Sequence, residues 1–268
     1  MHPTVQAFFD GATNTVTYLV SDPATGAAAI IDPVLDYDRE AATTSTASSD
    51  AVLAEIERQG LALAWVLETH AHADHLSAGH YLRERTGAPV GIGARIHEVQ
   101  ETFAPKLGME TPGAEVFDRL FSDGERFALG DLTVEVMHTP GHTPACVSYR
   151  IGDAVFVGDT LFMPDFGTAR ADFPGGDAGT LYRSIQRILA LPGDTRVFVG
   201  HDYLPRDGRT DFRWQTTVAA ERDGNIHVGA GATASDFIAM RTARDATLPP
   251  PKLLEPALRA NIRAGVFD

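Results

Sequence analysis

Residues 69–75, with the sequence Thr-His-Ala-His-Ala-Asp-His, place three imidazoles and a carboxylate directly after the apolar run 65–67. Neutral imidazole is the commonest metal ligand in proteins, and carboxylates complete such sites. Polar groups at the end of a buried strand cost free energy unless something satisfies them. The segment therefore predicts a metal site whose candidate ligands are His70, His72, Asp74 and His75.

Ligand-type side chains recur downstream, where further apolar strands are predicted to end. Each follows a glycine, which lets the backbone turn sharply and approach closely. A single histidine after a strand is most often a hydrogen-bonded loop residue, so one match alone carries little. Their recurrence in one chain predicts that they lie together with the donors of residues 69–75 in a single site. These residues are His142, Asp159 and His201.

Composition favours an enzyme with a small-molecule substrate. The 268 residues can bury a large core, and the formal net charge of -14 disfavours nucleic acid or an anionic membrane as the main partner. The single cysteine, Cys146, excludes an intramolecular disulfide and fits a reducing compartment. We see neither a signal-peptide pattern nor an apolar run near the ~18 residues of a membrane span. We therefore expect a cytoplasmic protein.

The elements that must position these residues follow from hydrophobic periodicity and from turn residues. Ser49 or Asp50 is the expected N-cap of a helix over 51–58, and Gly60 is expected to end it. After the triple proline at 249–251, only a short terminal segment is expected. The predicted strands are 16–20, 28–33, 64–67, 133–137, 146–150, 154–157 and 196–199, and the other predicted helices are 94–103, 178–191, 212–220 and 235–244.

The strands fall into two groups with helices between them. Two sheets packed face to face, with helices outside, would bury the apolar runs and collect the ligands at strand ends. We therefore expect one α/β domain over residues 1–268, with residues ~205–268 as a C-terminal extension packed on it.

These motifs resemble the metal motifs of the metallo-β-lactamase superfamily, in the same order, across roughly residues 15–205. The matching segments are the cluster at 69–75, Thr-Pro-Gly-His-Thr at 139–143, Gly-Asp-Thr at 158–160 and Gly-His at 200–201. The resemblance implies a four-layer αββα sandwich with the metal at one edge between the sheets. It also implies that Asp74 and His75 could serve a second metal with His201, with Asp159 bridging.

The second half of the chain resembles persulfide (sulfur) dioxygenases of the ethylmalonic-encephalopathy type, and in particular a bacterial branch labelled β-lactamase hydrolase-like. The matching segments are 167–173, 180–185, 191–194, 200–203 and the tail 248–265. The chain departs from better-known members at Thr168 and Ala169, where Cys-Gly is usual, and in regions 38–50 and 222–233. These departures bear on substrate details more than on the chemistry.

The resemblance implies one Fe(II) per chain, held by His70, His142 and Asp159. Two imidazoles and one carboxylate leave open positions for substrate and O₂. The remaining donors would then orient the ligands and hold water, with a second metal as the alternative and zinc as an alternative or substituted metal. These donors are His72, Asp74, His75 and His201.

The implied reaction is oxidation of glutathione persulfide, or a similar small persulfide, by O₂ to sulfite and a thiol. Arg170 is the first candidate for binding the substrate carboxylates, although it could instead pair with Asp172. Weaker candidates are Arg213, Arg241 and Arg244. Tyr203 could hydrogen-bond a sulfur or oxygen species. Cys146 is expected to be a buried inert thiol rather than a persulfide relay. The resemblance also suggests a homodimer.

Two other classes of function are alternatives to the persulfide dioxygenase hypothesis. A glyoxalase-II-like thioester hydrolase with two metals is compatible with the seven ligand-type residues, but the tail resembles the dioxygenases instead. A non-catalytic sulfide or metal sensor is disfavoured, because nothing resembles a DNA-binding module and the net charge is acidic.

Overall fold

The computed structural model describes residues 2–205 and 207–267. The strands are β1 (Thr4–Asp10), β2 (Thr15–Ser21), β3 (Ala27–Ile31), β4 (Val34–Asp38), β5 (Thr43–Ser45), β6 (Ala62–Leu67), β7 (Leu76–Ser77), β8 (Val90–Gly93), β9 (Arg119–Phe121), β10 (Arg126–Leu129), β11 (Leu132–His138), β12 (Val147–Ile151), β13 (Ala154–Phe156), β14 (Arg196–Phe198) and β15 (Gln215–Thr217). The α-helices are α1 (Ala47–Gln59), α2 (Gly79–Thr86), α3 (Ile96–Phe103), α4 (Ala178–Leu189), α5 (Val218–Gly224), α6 (Ala234–Asp245) and α7 (Leu254–Asn261).

The strands form two six-stranded mixed sheets and one small sheet. The first sheet has the order β1-β2-β3-β6-β8-β9, and the second has the order β10-β11-β12-β13-β14-β15. The small sheet, β5-β4-β7, includes the short strand that follows the His-rich segment. Within the described residues, no helix has the length and apolarity needed to cross a membrane.

Strand β3 shows why the sheets are buried on both sides. Its side chains alternate between two apolar clusters: Ala28 and Ile30 pack with helix α1, whereas Ala29 and Ile31 pack against β11 of the second sheet. A strand that is apolar throughout is typical of a sheet covered on both faces. The prediction that this run is doubly covered is therefore confirmed.

Helices cover the outer face of each sheet. Helices α1, α2, α3 and α7 pack on the first sheet, and α4, α5 and α6 pack on the second. In α4, the predicted apolar face is confirmed, since Leu181, Ile185 and Ile188 are all buried against β13 and β14. The layers are helix, sheet, sheet, helix, so the predicted four-layer αββα sandwich is confirmed.

The start of α1 differs from the prediction. The helix begins at Ala47, so Ser49 or Asp50 as N-cap is wrong. Asp36 of β4 instead accepts from the Ser48 backbone N–H at 3.0 Å, and the Ser49 hydroxyl donates to the Val34 carbonyl. A side chain distant in sequence therefore satisfies the helix terminus, which local patterns do not reveal. The predicted end at Gly60, with a left-handed φ of 65°, is confirmed.

The C-terminal region also differs in part. The helix predicted over 212–220 is wrong in its first half, because Gln215–Thr217 forms β15 and pairs antiparallel with β14. Helix α5 begins only at Val218, where the Thr217 hydroxyl accepts from the Ala220 N–H. After the prolines, the short terminal segment contains helix α7, whose Ala257 and Ala260 pack on the first sheet.

Two tyrosines cross the sandwich and tie the sheets together. Tyr18 of β2 donates to the carbonyl of Val199, at the end of β14, at 2.6 Å. Tyr149 of β12 donates to the carbonyl of Glu68, at the end of β6, at 2.9 Å. Burial raises the pKa of both phenols well above the usual value, so both hydroxyls remain donors. Each bond fixes a strand end two residues before a candidate ligand, His201 for Val199 and His70 for Glu68.

Replacing Tyr149 by Phe should lower the free energy of unfolding by about 1–2 kcal/mol, because the Glu68 carbonyl loses its buried donor. Urea denaturation followed by circular dichroism measures the change. Tyr182→Phe is the matched control, since its hydroxyl donates to Ala232 in a partly buried position where water can replace it. Equal losses in the two variants would contradict this account of Tyr149.

Candidate metal centre

The His-rich segment leaves the first sheet at the end of β6 and is held by the end of β3. Asp32, which directly follows β3, accepts from the Thr69 N–H at 2.7 Å and from the Thr69 hydroxyl at 2.9 Å. Asp32 adopts a positive φ of 51°, uncommon for a residue other than glycine. The strained turn therefore aims its carboxylate at the start of the segment.

The structure brings His70, His142 and Asp159 together. One donor atom from each lies within 4.8 Å of the others, and all three side chains are buried. His142 follows the Pro140–Gly141 turn and Asp159 follows β13, so the second sheet supplies two of these donors and the first sheet supplies one. We call this group the first cluster. Its donor set fits a metal with open coordination positions.

A second cluster lies beside the first. It contains one donor atom from each of four residues, all within 4.8 Å of one another: His72, Asp74, His75 and His201. His201 Nε2 lies 3.2 Å from an Asp74 oxygen and 3.3 Å from Asp159 Oδ1, whereas Asp159 Oδ2 faces His142 at 3.6 Å. Asp159 therefore lies between the two clusters.

Several donor atoms are buried without a hydrogen-bond partner among the residues that the structure describes. They include His75 Nε2, His201 Nε2 and Asp159 Oδ1. Buried polar atoms left unpaired cost free energy, and native proteins rarely keep them without a reason. A cation held by the first cluster would satisfy Asp159 Oδ1, and a second cation or bound water would satisfy the two histidine nitrogens, which belong to the second cluster. The residues therefore fit a metal.

In four of the five histidines, all except His72, Nδ1 is engaged by a neighbouring oxygen, which fixes how the ring is presented. His142 Nδ1 lies 2.8 Å from the Arg170 carbonyl, which can only accept, so Nδ1 carries the proton and Nε2 is free to bind. His75 Nδ1 and His201 Nδ1 lie near the Thr15 hydroxyl, at 3.2 and 3.3 Å. His70 Nδ1 lies 3.0 Å from the Thr69 hydroxyl.

Electrostatics separates His72 from its neighbours. Burial lowers the pKa of His70 well below its usual value, and it lowers that of His75 to about 4, so both rings are neutral and able to bind a metal. His72 Nε2 instead faces two buried carboxylates, 3.1 Å from Asp32 and 3.5 Å from Glu68. Burial opposes protonation there, but these carboxylates raise the pKa of His72 well above its usual value.

The guanidinium of Arg170, which is predicted to bind the substrate, forms hydrogen bonds with other residues of the protein. It donates to both oxygens of Asp172, at 2.6 and 2.7 Å, and to the Pro249 carbonyl at 2.7 Å. The alternative of an Arg170–Asp172 pair is therefore what the structure contains. Binding of substrate by Arg170 stays a prediction, and its main-chain carbonyl has the separate task of holding His142.

The ring of Tyr203 stacks on that of His201, with centroids 5.8 Å apart and planes 17° apart. Burial raises the pKa of its phenol, so the hydroxyl stays protonated and can donate. The thiol of Cys146 is buried beside the Thr143 hydroxyl, and burial raises its pKa to about 12, as expected for an unreactive thiol. The proposed role of Tyr203 stays a prediction.

Sequence reasoning missed Asn261, the last residue of α7. Its amide nitrogen donates to the carbonyls of His72 and His75, both at 2.8 Å, and its oxygen accepts from the Ser77 N–H at 2.8 Å. The C-terminal helix therefore pins the segment that carries four donors. No local pattern identifies Asn261, whereas Asp32 ends an apolar strand like the predicted ligands and could have been found.

A family model described as the metallo-β-lactamase superfamily matches residues 10–201, which is more than half of the chain and includes every donor of both clusters. The chain belongs to the metallo-β-lactamase superfamily. Its fold and its buried donor clusters agree with that membership.

Relatives within the family carry different names. A beta-lactamase hydrolase-like protein of Agrobacterium fabrum is 52% identical over 98% of this chain, which spans only 61% of that relative's length. Glyoxylase B2 of Dictyostelium discoideum is 47% identical over 97% of this chain and 90% of its own length. The human mitochondrial persulfide dioxygenase ETHE1 is 29% identical over 98% of this chain and 89% of its own length.

Among solved structures, the crystal structure of ETHE1 from Myxococcus xanthus matches with a TM-score of 0.80 and 34% sequence identity. The match covers 98% of this chain and 100% of the other. The similarity therefore includes the C-terminal residues that contact the donor segments, and not the sandwich alone.

Replacing Asn261 by Ala should lower the free energy of unfolding by about 2–4 kcal/mol, because three buried backbone groups lose their partner. Urea denaturation of the metal-free protein measures it. Gln59→Ala removes an exposed amide with two side-chain contacts and should cost less than about 0.5 kcal/mol. A loss for Asn261→Ala as small as that of the control would contradict the pinning role.

Proposed function

We propose that this protein is an iron-dependent persulfide dioxygenase that oxidises glutathione persulfide, or a similar small persulfide, with O₂. One persulfide, one O₂ and one water give one thiol, one sulfite and two protons. The sulfur–sulfur bond breaks, and the terminal sulfur gives up four electrons to O₂. The observation that carries the proposal is the first cluster, two imidazoles and one carboxylate within 4.8 Å.

His70, His142 and Asp159 would hold the iron in this proposal. When bound, iron supplies open positions for a sulfur anion and O₂ and exchanges electrons with them. Two neutral rings and a single carboxylate suit this role better than a site crowded with ligands. The whole-length likeness to ETHE1, at 34% identity, supports the same assignment.

Groups of the chain itself, one main-chain carbonyl and two side chains, would prepare the site in three ways. The Arg170 carbonyl keeps the proton on His142 Nδ1, so the opposite nitrogen is always available. The Tyr203 hydroxyl, kept protonated, can donate to a sulfur or oxygen atom of the substrate. For Arg170 to bind a substrate carboxylate, its guanidinium must exchange the Asp172 contact for the ligand.

In the same proposal, the second cluster orients its neighbours rather than binding metal. His72 differs from the other members because its Nε2 faces Asp32 and Glu68 instead of the cluster. The contacts of Thr15 with His75 and His201 fit a supporting role. The protein's partners would be the persulfide and O₂, in a cytoplasmic setting, with a homodimer as the proposed assembly.

A glyoxalase-II-like thioester hydrolase with two metals is the second candidate. Its support is the completeness of the second cluster, with Asp159 positioned between both clusters. The names beta-lactamase hydrolase-like protein and glyoxylase B2, carried by relatives at 52% and 47% identity, favour it too. Zinc would be the expected metal in that case.

Protein purified without oxygen should contain about one iron per chain and should consume O₂ only when glutathione persulfide is added, because one cluster binds the iron. Elemental analysis and an oxygen electrode measure these quantities. S-lactoylglutathione hydrolysis is assayed on the same sample. Two zinc ions per chain with thioester turnover and no persulfide-dependent O₂ uptake would establish the hydrolase instead.

His142→Ala should abolish iron retention, because one of three ligands is lost, whereas His75→Ala should retain iron and lower the rate of O₂ uptake by about 10–100-fold. The two residues form a matched pair, since both are buried histidines with Nδ1 already engaged. Iron content and persulfide-dependent O₂ uptake are measured on each variant. Equal metal loss in both would support a two-metal site.

A further inference from the structure

The loop at residues 167–172, here the Arg170 loop, determines how His142 is presented. The carbonyl of Arg170 lies 2.8 Å from His142 Nδ1, and the ring of Phe173, next along the chain, meets the His142 ring edge-on at 5.3 Å. A shift of this carbonyl would move the ring or release its proton to the other nitrogen. The position of the Arg170 loop is therefore a property of the candidate metal site.

The Arg170 loop is held from outside by the C-terminal part of the chain. On one side of Arg170, the Thr168 carbonyl accepts from Arg241 of α6 at 3.1 Å. On the other side, the Ala171 N–H donates to Asp245 of α6 at 2.9 Å. The two contacts flank Arg170, so together they fix the direction of its carbonyl.

Arg241 and Asp245 also form an ion pair with each other, one helical turn apart on α6. The nitrogen-to-oxygen distances are 2.8 and 2.6 Å, and the two residues are 1% and 5% exposed. A buried ion pair contributes little to stability, because desolvation offsets the attraction, and an apolar pair of similar volume often serves as well. A role in fixing the conformation of the Arg170 loop explains the presence of this buried pair better than stability does. Each partner forms a further hydrogen bond with the loop.

We propose that the Arg241–Asp245 pair positions His142 for metal binding, through the Arg170 carbonyl. Both are positioning residues and neither touches the metal. The proposal rests on His142 being a metal ligand, as in the proposed function, but not on the reaction catalysed. Losing such an outer contact typically costs 10–100-fold in metal affinity.

The test is anaerobic titration with Co(II) alone, followed by its visible absorption, on the full chain. The double variant Arg241→Met/Asp245→Leu replaces the ion pair by apolar side chains that still fill the buried space, and it removes both hydrogen bonds to the Arg170 loop. The single variant Asp245→Asn keeps the volume of the side chain and removes its charge. Phe237→Leu is the matched control, since Phe237 is buried on the same helix and packs on Tyr182, but its side chain has no polar group that could hydrogen-bond the loop.

We expect the double variant to bind Co(II) about 10–100-fold more weakly than wild type, with an altered absorption spectrum, while its unfolding midpoint in urea stays close to that of the control. Asp245→Asn should change in the same direction by at least a few-fold, and it decides the question if the double variant does not fold. Phe237→Leu should lose stability with unchanged Co(II) affinity and spectrum.

Wild-type affinity and spectrum in either loop-contact variant would overturn the proposal, as would an equal loss of Co(II) affinity in Phe237→Leu. His142→Ala separates this failure from that of the proposed function. If His142→Ala binds Co(II) as wild type does, the metal assignment itself is wrong. If only His142→Ala loses affinity, the assignment stands and the positioning role of the ion pair is wrong.

Discussion

The structure depends on keeping imidazole and carboxylate groups together in a buried seam between two sheets. Buried donors such as His201 Nε2 and Asp159 Oδ1 have no hydrogen-bond partner among the described residues, and this burial opposes folding unless a bound cation or water satisfies them. The surrounding fold offsets the cost by fixing the opposite side of the rings. Thr15, Thr69 and the Arg170 carbonyl each engage a histidine Nδ1. Binding of a cation to these donors would therefore stabilise the folded protein.

Different parts of the chain supply the donors between the sheets and hold them in place. The first sheet delivers the His-rich segment, and the second sheet delivers the downstream donors, with Asp159 between the two clusters. Among the residues that the structure describes, those after β14 and His201 add no donor to either cluster, yet Asn261 holds the His-rich segment and Asp245 holds the Arg170 loop. In this chain the two sheets supply the donors, whereas the tail holds the segments that carry them.

The sequence predicted the candidate donors because four lie in one His-rich segment after a strand and three follow a strand at a glycine turn. It predicted the sandwich because β3 and α4 carry clear periodicity. The errors arose where distant contacts decide the local structure. Asp36 caps α1 from another strand, and pairing with β14 makes Gln215–Thr217 a strand. The roles of Asn261 and the Arg241–Asp245 pair could not be predicted from the sequence for the same reason. Their contacts form only after the C-terminal helices pack on the core.

The central claim is that one iron is held by the first cluster while the second cluster stays free of metal. Anomalous diffraction at the iron edge, from crystals grown without oxygen from protein purified without oxygen, tests it most directly. The account predicts one strong peak per chain, within bonding distance of His70, His142 and Asp159. A second peak of comparable height among His72, Asp74, His75 and His201, or a zinc-edge signal at both positions, would contradict it.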